Sequence, residues 1–197
     1  NESKLPYDEL RALVESSPAS ARVLILDSCR SGGLTRVKGA ESAEPFSISA
    51  ENRVQAEGLA VITSSSAWED SHESERLRGS FFSHHLLTGL QGAADHDRDS
   101  TVTLSEVYSY AYRQTLRSSG RTRSLQHPTY SYDIKGKGDL TLTRLTARGR
   151  ESAELSFSEP GLYLVIRGGE GGELVNEVMV DEKGAALAMR PGQYFIQ

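Results

Sequence analysis

An apolar run, residues 23–26, constrains this chain most, because it ends abruptly at Asp27 and Ser28 and is followed at once by Cys29, the only cysteine. Four consecutive apolar residues without alternation are typical of a strand covered on both faces, as in a parallel sheet. Open parallel sheets bind ligands at the carboxyl ends of their strands. The pattern therefore predicts a buried strand that carries a thiol at its carboxyl end.

The sequence allows two interpretations of Cys29. Most free cysteines are packed as small hydrophobic residues. Here Asp27 and Ser28 precede the cysteine, and Arg30, Ser31 and a glycine follow it, so the neighbours are polar. Reactive cysteines occupy polar, partly exposed surroundings, and the pattern therefore favours a reactive thiol over a packed one.

Residues 27–32, DSCRSG, resemble the nucleophile loop of the caspase-like cysteine peptidases, the superfamily of caspases, metacaspases and their bacterial relatives. Other segments match in family order and extend the resemblance to about residues 5–145. They are the helix before the nucleophile strand (6–13), the first small-subunit strand (59–66), the helix after it (81–90), and residues 126–128 and 138–140. The bacterial caspase-like pattern is the most similar. The resemblance implies an α/β fold, with a caspase-like sheet of mostly parallel strands flanked by helices.

The resemblance also implies the catalytic residues. Cys29 would be the nucleophile, and the loop residues Ser28, Arg30 and Gly32 would surround the oxyanion. A thiol needs a base to become the attacking thiolate, and this family takes the base from a His-Gly loop upstream of the nucleophile strand. All five histidines here lie downstream of Cys29, and none precedes a glycine. We therefore expect an N-terminal fragment to carry the catalytic His, or the chain alone to be inactive.

Substrate specificity is predicted from charge. Relatives that carry an acid two positions before the nucleophile, as Asp27 stands here, resemble each other in cutting after Arg or Lys. A carboxylate at the floor of a narrow pocket would stabilise a substrate guanidinium or ammonium group. Alternatively, Asp27 only caps or orients the nucleophile loop. Relatives often have a second pocket acid after the small-subunit strand; here Trp68 stands at that position, and Glu69 and Asp70 follow it. The alternative is that Trp68 forms an apolar wall of the pocket.

The segment between Thr35 and Glu57 is long, polar and without periodicity, which indicates a surface loop. In related enzymes this is the region of maturation cleavage. Arg36, Lys38 and Arg53 are therefore candidate cleavage sites. The alternative is an uncut loop that folds over the site.

Residues 95–106 have the acidic spacing of an EF-hand calcium loop. The ligand candidates, at loop positions one, three, five, seven and twelve, are Asp95, Asp97, Asp99, Thr101 and Glu106. Ser100 stands at position six, where the sharp turn favours glycine. Alternatively, Thr103 and Glu106 form only a helix-capping box and the aspartates solvate a turn. Calcium is the one cofactor that the sequence suggests, in a structural role, and catalysis is expected to need none.

The sequence suggests two domains, a caspase-like peptidase domain over residues 1–146 and a small all-β, sandwich-like module over residues 147–197. Five short strand-like runs separated by glycine-containing turns predict the second. They span residues 153–157, 162–167, 174–180, 185–189 and 194–197. We interpret this module as an interaction or regulatory appendage.

Composition bounds the partners. The net charge is −5, and the basic residues are scattered, so nucleic-acid binding is not expected. No apolar run approaches the length of a membrane span. A single cysteine fits a reducing, cytoplasmic compartment. Because the chain begins with Asn1 and shows no signal peptide, we expect a processed or truncated piece.

Together these patterns predict a cysteine endopeptidase that cleaves protein or peptide substrates after Arg or Lys and is regulated by proteolytic processing or by an activating partner. The alternative is a caspase-like pseudoenzyme, or a scaffold subunit without activity of its own.

Overall fold

The structure is a computed structural model that describes residues 6–28, 57–66, 73–74, 77, 79–122, 124–135, 139–145 and 153–197. Over these residues the chain is a mixed α/β protein with three α-helices and several small sheets, mostly antiparallel. Helix α1 (Tyr7–Glu15) comes first, and Pro6 precedes it in an extended conformation. No helix in these ranges is long and apolar enough to cross a membrane.

The first sheet contains β1 (Ala21–Leu26), β2 (Glu57–Thr63) and β6 (Thr129–Lys135), with β2 in the centre. Strands β1 and β2 are parallel, in a register that places Leu26 beside Thr63. Strand β6 is antiparallel to β2, with Val61 opposite Ser131. The parallel pairing predicted for the first strand is therefore present.

The expectation of a mostly parallel sheet is wrong for the described residues, because one of the two pairings in this sheet is antiparallel and the other described sheets contain antiparallel pairs only. Full coverage of β1 on both faces is also not seen. Most of its residues are half-buried, and the Ile25 side chain is 39% exposed. In the described ranges β1 lies at the sheet edge, which explains this exposure.

Two helices cover the sheet. Helix α2 (Phe81–Thr88) runs into a π-helical turn (Gly89–Ala93), and α3 (Leu104–Ser119) begins with a capping box between Thr103 and Glu106. Helix α3 is amphipathic, and its apolar positions share a core with residues of α2 and β2. The shared core includes Ala60, Ile62, Phe82, Leu86, Val107, Tyr108 and Ala111.

Two small antiparallel pairs complete this part of the chain. Strand β3 (Glu73–Ser74) pairs with β4 (Gly79–Ser80), immediately before α2. Strand β5 (Thr101–Thr103) pairs with β7 (Thr141–Arg144), immediately before α3. Strand β5 belongs to the acidic loop (residues 95–106), so its pairing with β7 holds the end of that loop in place.

Residues 153–197 form two small antiparallel sheets. One has the order β10 (Glu173–Val180), β9 (Gly161–Arg167) and β12 (Tyr194–Ile196). The other pairs β11 (Ala185–Met189) with β8 (Ala153–Phe157). The five predicted strands are all present, and residues of both sheets contribute to one apolar core. That core contains Phe157, Val165, Val178, Val180, Leu187 and Met189.

A buried polar contact joins these strands to the helical layer. The Asn176 side chain, 2% exposed, donates to Thr88 Oγ1 at 3.1 Å and to Gln91 Oε1 at 2.5 Å. Gly92 has a φ of 125°, and a Cβ atom there would lie 2.5 Å from the Ala186 carbonyl oxygen. Glycine is therefore required where the π-helical turn approaches β11.

Candidate functional site

The parallel pairing brings two polar strand ends together. Leu26 and Thr63 are paired, so the residues that follow them leave the sheet at the same edge. The Ser64 amide donates to the Leu26 carbonyl at 2.9 Å, and Ser64 Oγ donates to the Ser28 carbonyl at 3.4 Å. The end of β1 is thus bound to the end of β2 beyond the last paired residues.

Asp27 connects this edge to α2. Its carboxylate Oδ2 accepts hydrogen bonds from the Ser80 hydroxyl and, at 2.6 Å, from the Ser83 hydroxyl. Ser80 is the N-cap of α2, and its Oγ also accepts from the Ser83 amide at 3.0 Å. A carboxylate beside a helix N-terminus is stabilised by the helix dipole.

Among the described residues the charge of Asp27 is not paired with a cation: its side chain is exposed, and no described Lys or Arg forms an ion pair with it. The donors that the described residues offer to the carboxylate are hydroxyl groups, so its negative charge can still attract a basic ligand. These contacts fasten the end of β1 to α2, and both interpretations of Asp27, as a specificity acid and as a cap of the nucleophile loop, stay predictions.

A buried polar layer lies behind the strand ends. Thr63, the last residue of β2, and the next two residues, Ser64 and Ser65, are fully buried although their side chains are polar. The Gln126 side chain, also fully buried, donates to the Ser64 carbonyl at 2.7 Å, and Thr63 Oγ1 lies 2.6 Å from Thr129 Oγ1. The structural role of Gln126 was missed from sequence, because only the distant position of Ser64 in the fold reveals it.

Several predicted site residues lie outside the described residues, so their predictions stand as they were. They are the nucleophile and its loop (Cys29, Arg30 and Gly32), the candidate cleavage sites (Arg36, Lys38 and Arg53) and the second pocket wall (Trp68, Glu69 and Asp70). Ser28 is described; it is exposed and accepts the hydrogen bond from Ser64.

The two histidines of α2 have structural partners. His84 Nε2 accepts from the Glu177 amide at 3.1 Å, which requires that this nitrogen carry no proton. His85 Nε2 lies 2.8 Å from Ser118 Oγ. Burial lowers the pKa of His84 to about 4 and that of His85 to about 3, with the His84 charge adding to the effect at His85. Both are neutral at pH 7 and serve packing.

The acidic loop adopts the backbone that its position-six turn needs. Ser100 has a φ of 65° and Arg98 a φ of 62°, so two non-glycine residues occupy the left-handed region. The Ser100 amide donates to Asp95 Oδ2 at 3.1 Å, and the Thr101 amide donates to Asp99 Oδ1 at 2.7 Å. Serine at loop position six, where glycine is usual, is therefore compatible with the turn.

Three of the five predicted calcium ligands come together. Carboxylate oxygens of Asp95, Asp97 and Asp99 lie within 4.8 Å of one another. Asp95 Oδ1 is buried and has no hydrogen-bond partner among the described residues, and burial raises the pKa of this carboxyl group. Glu106 instead caps α3, accepting from the Thr103 amide at 2.9 Å, and Thr101 Oγ1 donates to Asp99. The capping box between Thr103 and Glu106 is therefore present, and calcium binding by the loop stays a prediction.

Comparison of the chain with protein-family models, with curated proteins and with solved structures finds no match.

Proposed function

We propose that this chain is part of a caspase-like cysteine endopeptidase that cleaves after Arg or Lys. The supporting observation is the parallel pairing of β1 and β2, which places Asp27 and Ser28 beside Ser64 at one sheet edge. Cys29 follows Ser28 directly in the sequence. Ligand sites of open parallel sheets lie at such edges.

In the proposed mechanism the Cys29 thiolate attacks the scissile carbonyl carbon. Backbone amides near Ser28, Arg30 and Gly32 stabilise the oxyanion of the tetrahedral intermediate. A histidine takes the thiol proton and gives it to the leaving amine as the carbon–nitrogen bond breaks, which leaves a thioester on Cys29. Water then hydrolyses the thioester and regenerates the thiol. His84 and His85 are committed to Glu177 and Ser118, so we assign the proton transfer to a histidine of an upstream N-terminal segment.

Asp27 is proposed to select the residue before the cut. Its carboxylate is exposed and accepts hydrogen bonds from two hydroxyl groups, and no described Lys or Arg pairs with it. A substrate guanidinium or ammonium group would supply that cationic partner. Charge-assisted hydrogen bonds of this kind are about twice as strong as neutral ones. Trp68, Glu69 and Asp70 would complete the pocket, and Arg36, Lys38 and Arg53 would be sites of self-processing.

The second candidate function is a caspase-like scaffold or pseudoenzyme. The observation that favours it is the contact of Asp27 with Ser80 and Ser83, because a carboxylate that fastens a strand end to a helix has a sufficient structural role.

A substrate profile separates the two functions. The chain, together with the N-terminal segment proposed to carry the catalytic histidine, is assayed on matched fluorogenic peptides ending in Arg, Lys or Asp. We expect hydrolysis of the Arg and Lys peptides at least about tenfold faster than of the Asp peptide, since a charge-assisted hydrogen bond contributes about 1.5–3 kcal/mol. A protein that binds these peptides without cleaving any of them would be a scaffold.

We also propose that the acidic loop binds Ca²⁺ in a structural role. The left-handed Ser100 and the unpartnered oxygen of Asp95 support this proposal, because they reproduce the turn and leave an acceptor for the ion. Asp95, Asp97 and Asp99 would provide side-chain ligands, Thr101 its carbonyl and Glu106 its carboxylate. Bound calcium would neutralise the mutual repulsion of the three aspartates.

Calcium is expected to raise the melting temperature of the protein. At a free Ca²⁺ concentration one hundred times Kd the stabilisation would be about 2.7 kcal/mol. Asp97→Asn should remove most of this increase, measured by calorimetric titration and thermal unfolding with and without a chelator. Asp133→Asn, an exposed acid on β6, is the matched control and should keep it. Identical melting curves in calcium and chelator would reduce the loop to a capped turn.

A further inference from the structure

A cleft of about 190 Å³ lies between α3 and the sheets of residues 153–197, bordered by the acidic loop. Arg113 and Arg117 line it from α3, and Lys183 and Gly184 from the turn between β10 and β11. None of the residues that carry the proposed peptidase site lines this cleft. The proposed peptidase function therefore does not account for this cleft.

The lining is rich in positive charge, although the whole chain carries a net charge of −5. Four basic side chains line the cleft, with two acidic ones: Arg98, Arg113, Arg117 and Lys183 against Asp95 and Asp181. Both acids are engaged locally, since Asp95 accepts from the Ser100 amide and Asp181 from the Lys183 amide. A hydrogen bond does not remove the charge of a carboxylate, so four basic side chains against two acidic ones leave an excess of two positive charges in the lining.

Arg113 and Arg117 stand four residues apart on one exposed face of α3. Like charges at this spacing repel each other and destabilise the helix slightly. In the described part of the chain neither guanidinium forms an ion pair. A pair of unpaired arginine side chains on one cleft wall can bind planar or tetrahedral oxyanions through paired N–H donors.

Tyr110 provides an independent indication of a ligand. Its side chain is 4% exposed and lines the same cleft, and its hydroxyl has no hydrogen-bond partner among the described residues. Burial raises the pKa of Tyr110; the charges of Arg113 and Arg117 act in the opposite direction, while Glu177 adds to the increase. The hydroxyl is therefore a protonated donor. A buried donor without an acceptor destabilises a protein by about 1–3 kcal/mol, and phenylalanine would avoid that cost.

We propose that this cleft binds a small anionic ligand through a phosphate or carboxylate group, with Arg113 and Arg117 binding its oxygens and the Tyr110 hydroxyl donating to one of them. The ligand supplies the acceptor that Tyr110 lacks and relieves the repulsion between the two arginines. Because the cleft joins α3 to the turn between β10 and β11, the bound anion also strengthens the contact between the helical layer and the β-sheets.

The proposal is tested with inorganic phosphate, pyrophosphate and citrate, titrated into the whole chain at constant ionic strength against chloride. Divalent cations are left out, because Asp95 belongs to both the cleft and the acidic loop. We expect at least one of these anions to bind and to raise the melting temperature above that in chloride. Preference for phosphate and pyrophosphate assigns the ligand to phosphate compounds, and preference for citrate assigns it to carboxylates.

Two variants test the proposed contacts of the anion, one at the arginines and one at the Tyr110 hydroxyl. Arg113→Gln combined with Arg117→Gln should weaken binding of the effective anion at least about tenfold, which corresponds to the loss of one charge-assisted hydrogen bond. Tyr110→Phe should weaken binding by roughly fivefold to tenfold and raise the melting temperature of the ligand-free protein, because the unpartnered hydroxyl is removed.

Arg121→Gln is the matched control, since Arg121 is exposed just beyond the same helix and does not line the cleft. It should keep the affinity within about twofold, as expected for a distant surface charge. The proposal is overturned if no anion shifts the melting temperature beyond chloride, if Arg121→Gln weakens binding as much as the double variant, or if Tyr110→Phe destabilises the ligand-free protein and leaves the affinity unchanged.

Discussion

Replacing Cys29 with alanine is expected to abolish peptide hydrolysis while leaving the fold intact. If Cys29 is the nucleophile, its removal prevents the thioester from forming, and the remaining site can only bind and polarise the substrate. Loss of a nucleophile lowers kcat by on the order of 10³-fold or more in enzymes of this kind. The measurement is kcat and KM on an Arg peptide, in the protein that includes the upstream segment.

The fold of the Cys29→Ala variant is checked separately by circular dichroism and melting temperature, which should match the unsubstituted protein. Ser156→Ala is a suitable control, because Ser156 is exposed on β8 and its hydroxyl donates to the exposed Glu154 Oε1 at 2.9 Å. That variant should keep full activity. Proteolysis at the original rate in Cys29→Ala would disprove the peptidase proposal.

Asp27→Asn is expected to reduce selectivity for basic residues rather than activity in general. The asparagine oxygen can still accept from Ser80 and Ser83, whereas the negative charge is lost. Since a charge-assisted hydrogen bond contributes about 1.5–3 kcal/mol, kcat/KM for an Arg peptide should fall by roughly tenfold to a hundredfold. A peptide with citrulline, the neutral isostere of arginine, should be cleaved at a nearly unchanged rate.

Asp27→Ala separates charge from position. Alanine removes both hydrogen bonds to α2, so this variant should melt at a lower temperature than Asp27→Asn and lose activity on both peptides. Asp133→Asn serves again as the exposed control. If Asp27→Asn cleaves the Arg and citrulline peptides in the original ratio, Asp27 is a positioning residue and another acid determines specificity.

Several elements are predictable from local pattern. The apolar run of β1, the helical periodicity of α3 and the glycine-separated strands β8 to β11 are all where the sequence places them. Strand β6 was missed, although Tyr130, Tyr132 and Ile134 alternate as strand residues do. The expectation of a mostly parallel sheet came from the resemblance to caspase-like peptidases, whereas β6 is antiparallel to β2.

The sequence by itself determined β1, the five strands of residues 153–197 and the capped start of α3, that an acid follows β1 and that an acidic loop precedes α3. Hydrophobic periodicity, capping residues and turn residues act within a few positions of the chain, so they can be interpreted locally. The roles of Gln126 behind Ser64, of Ser80 and Ser83 on Asp27, and of Tyr110 in a basic cleft were decided only by the tertiary structure. These contacts join residues far apart in sequence, and the partner of a buried polar group is not encoded in a local pattern.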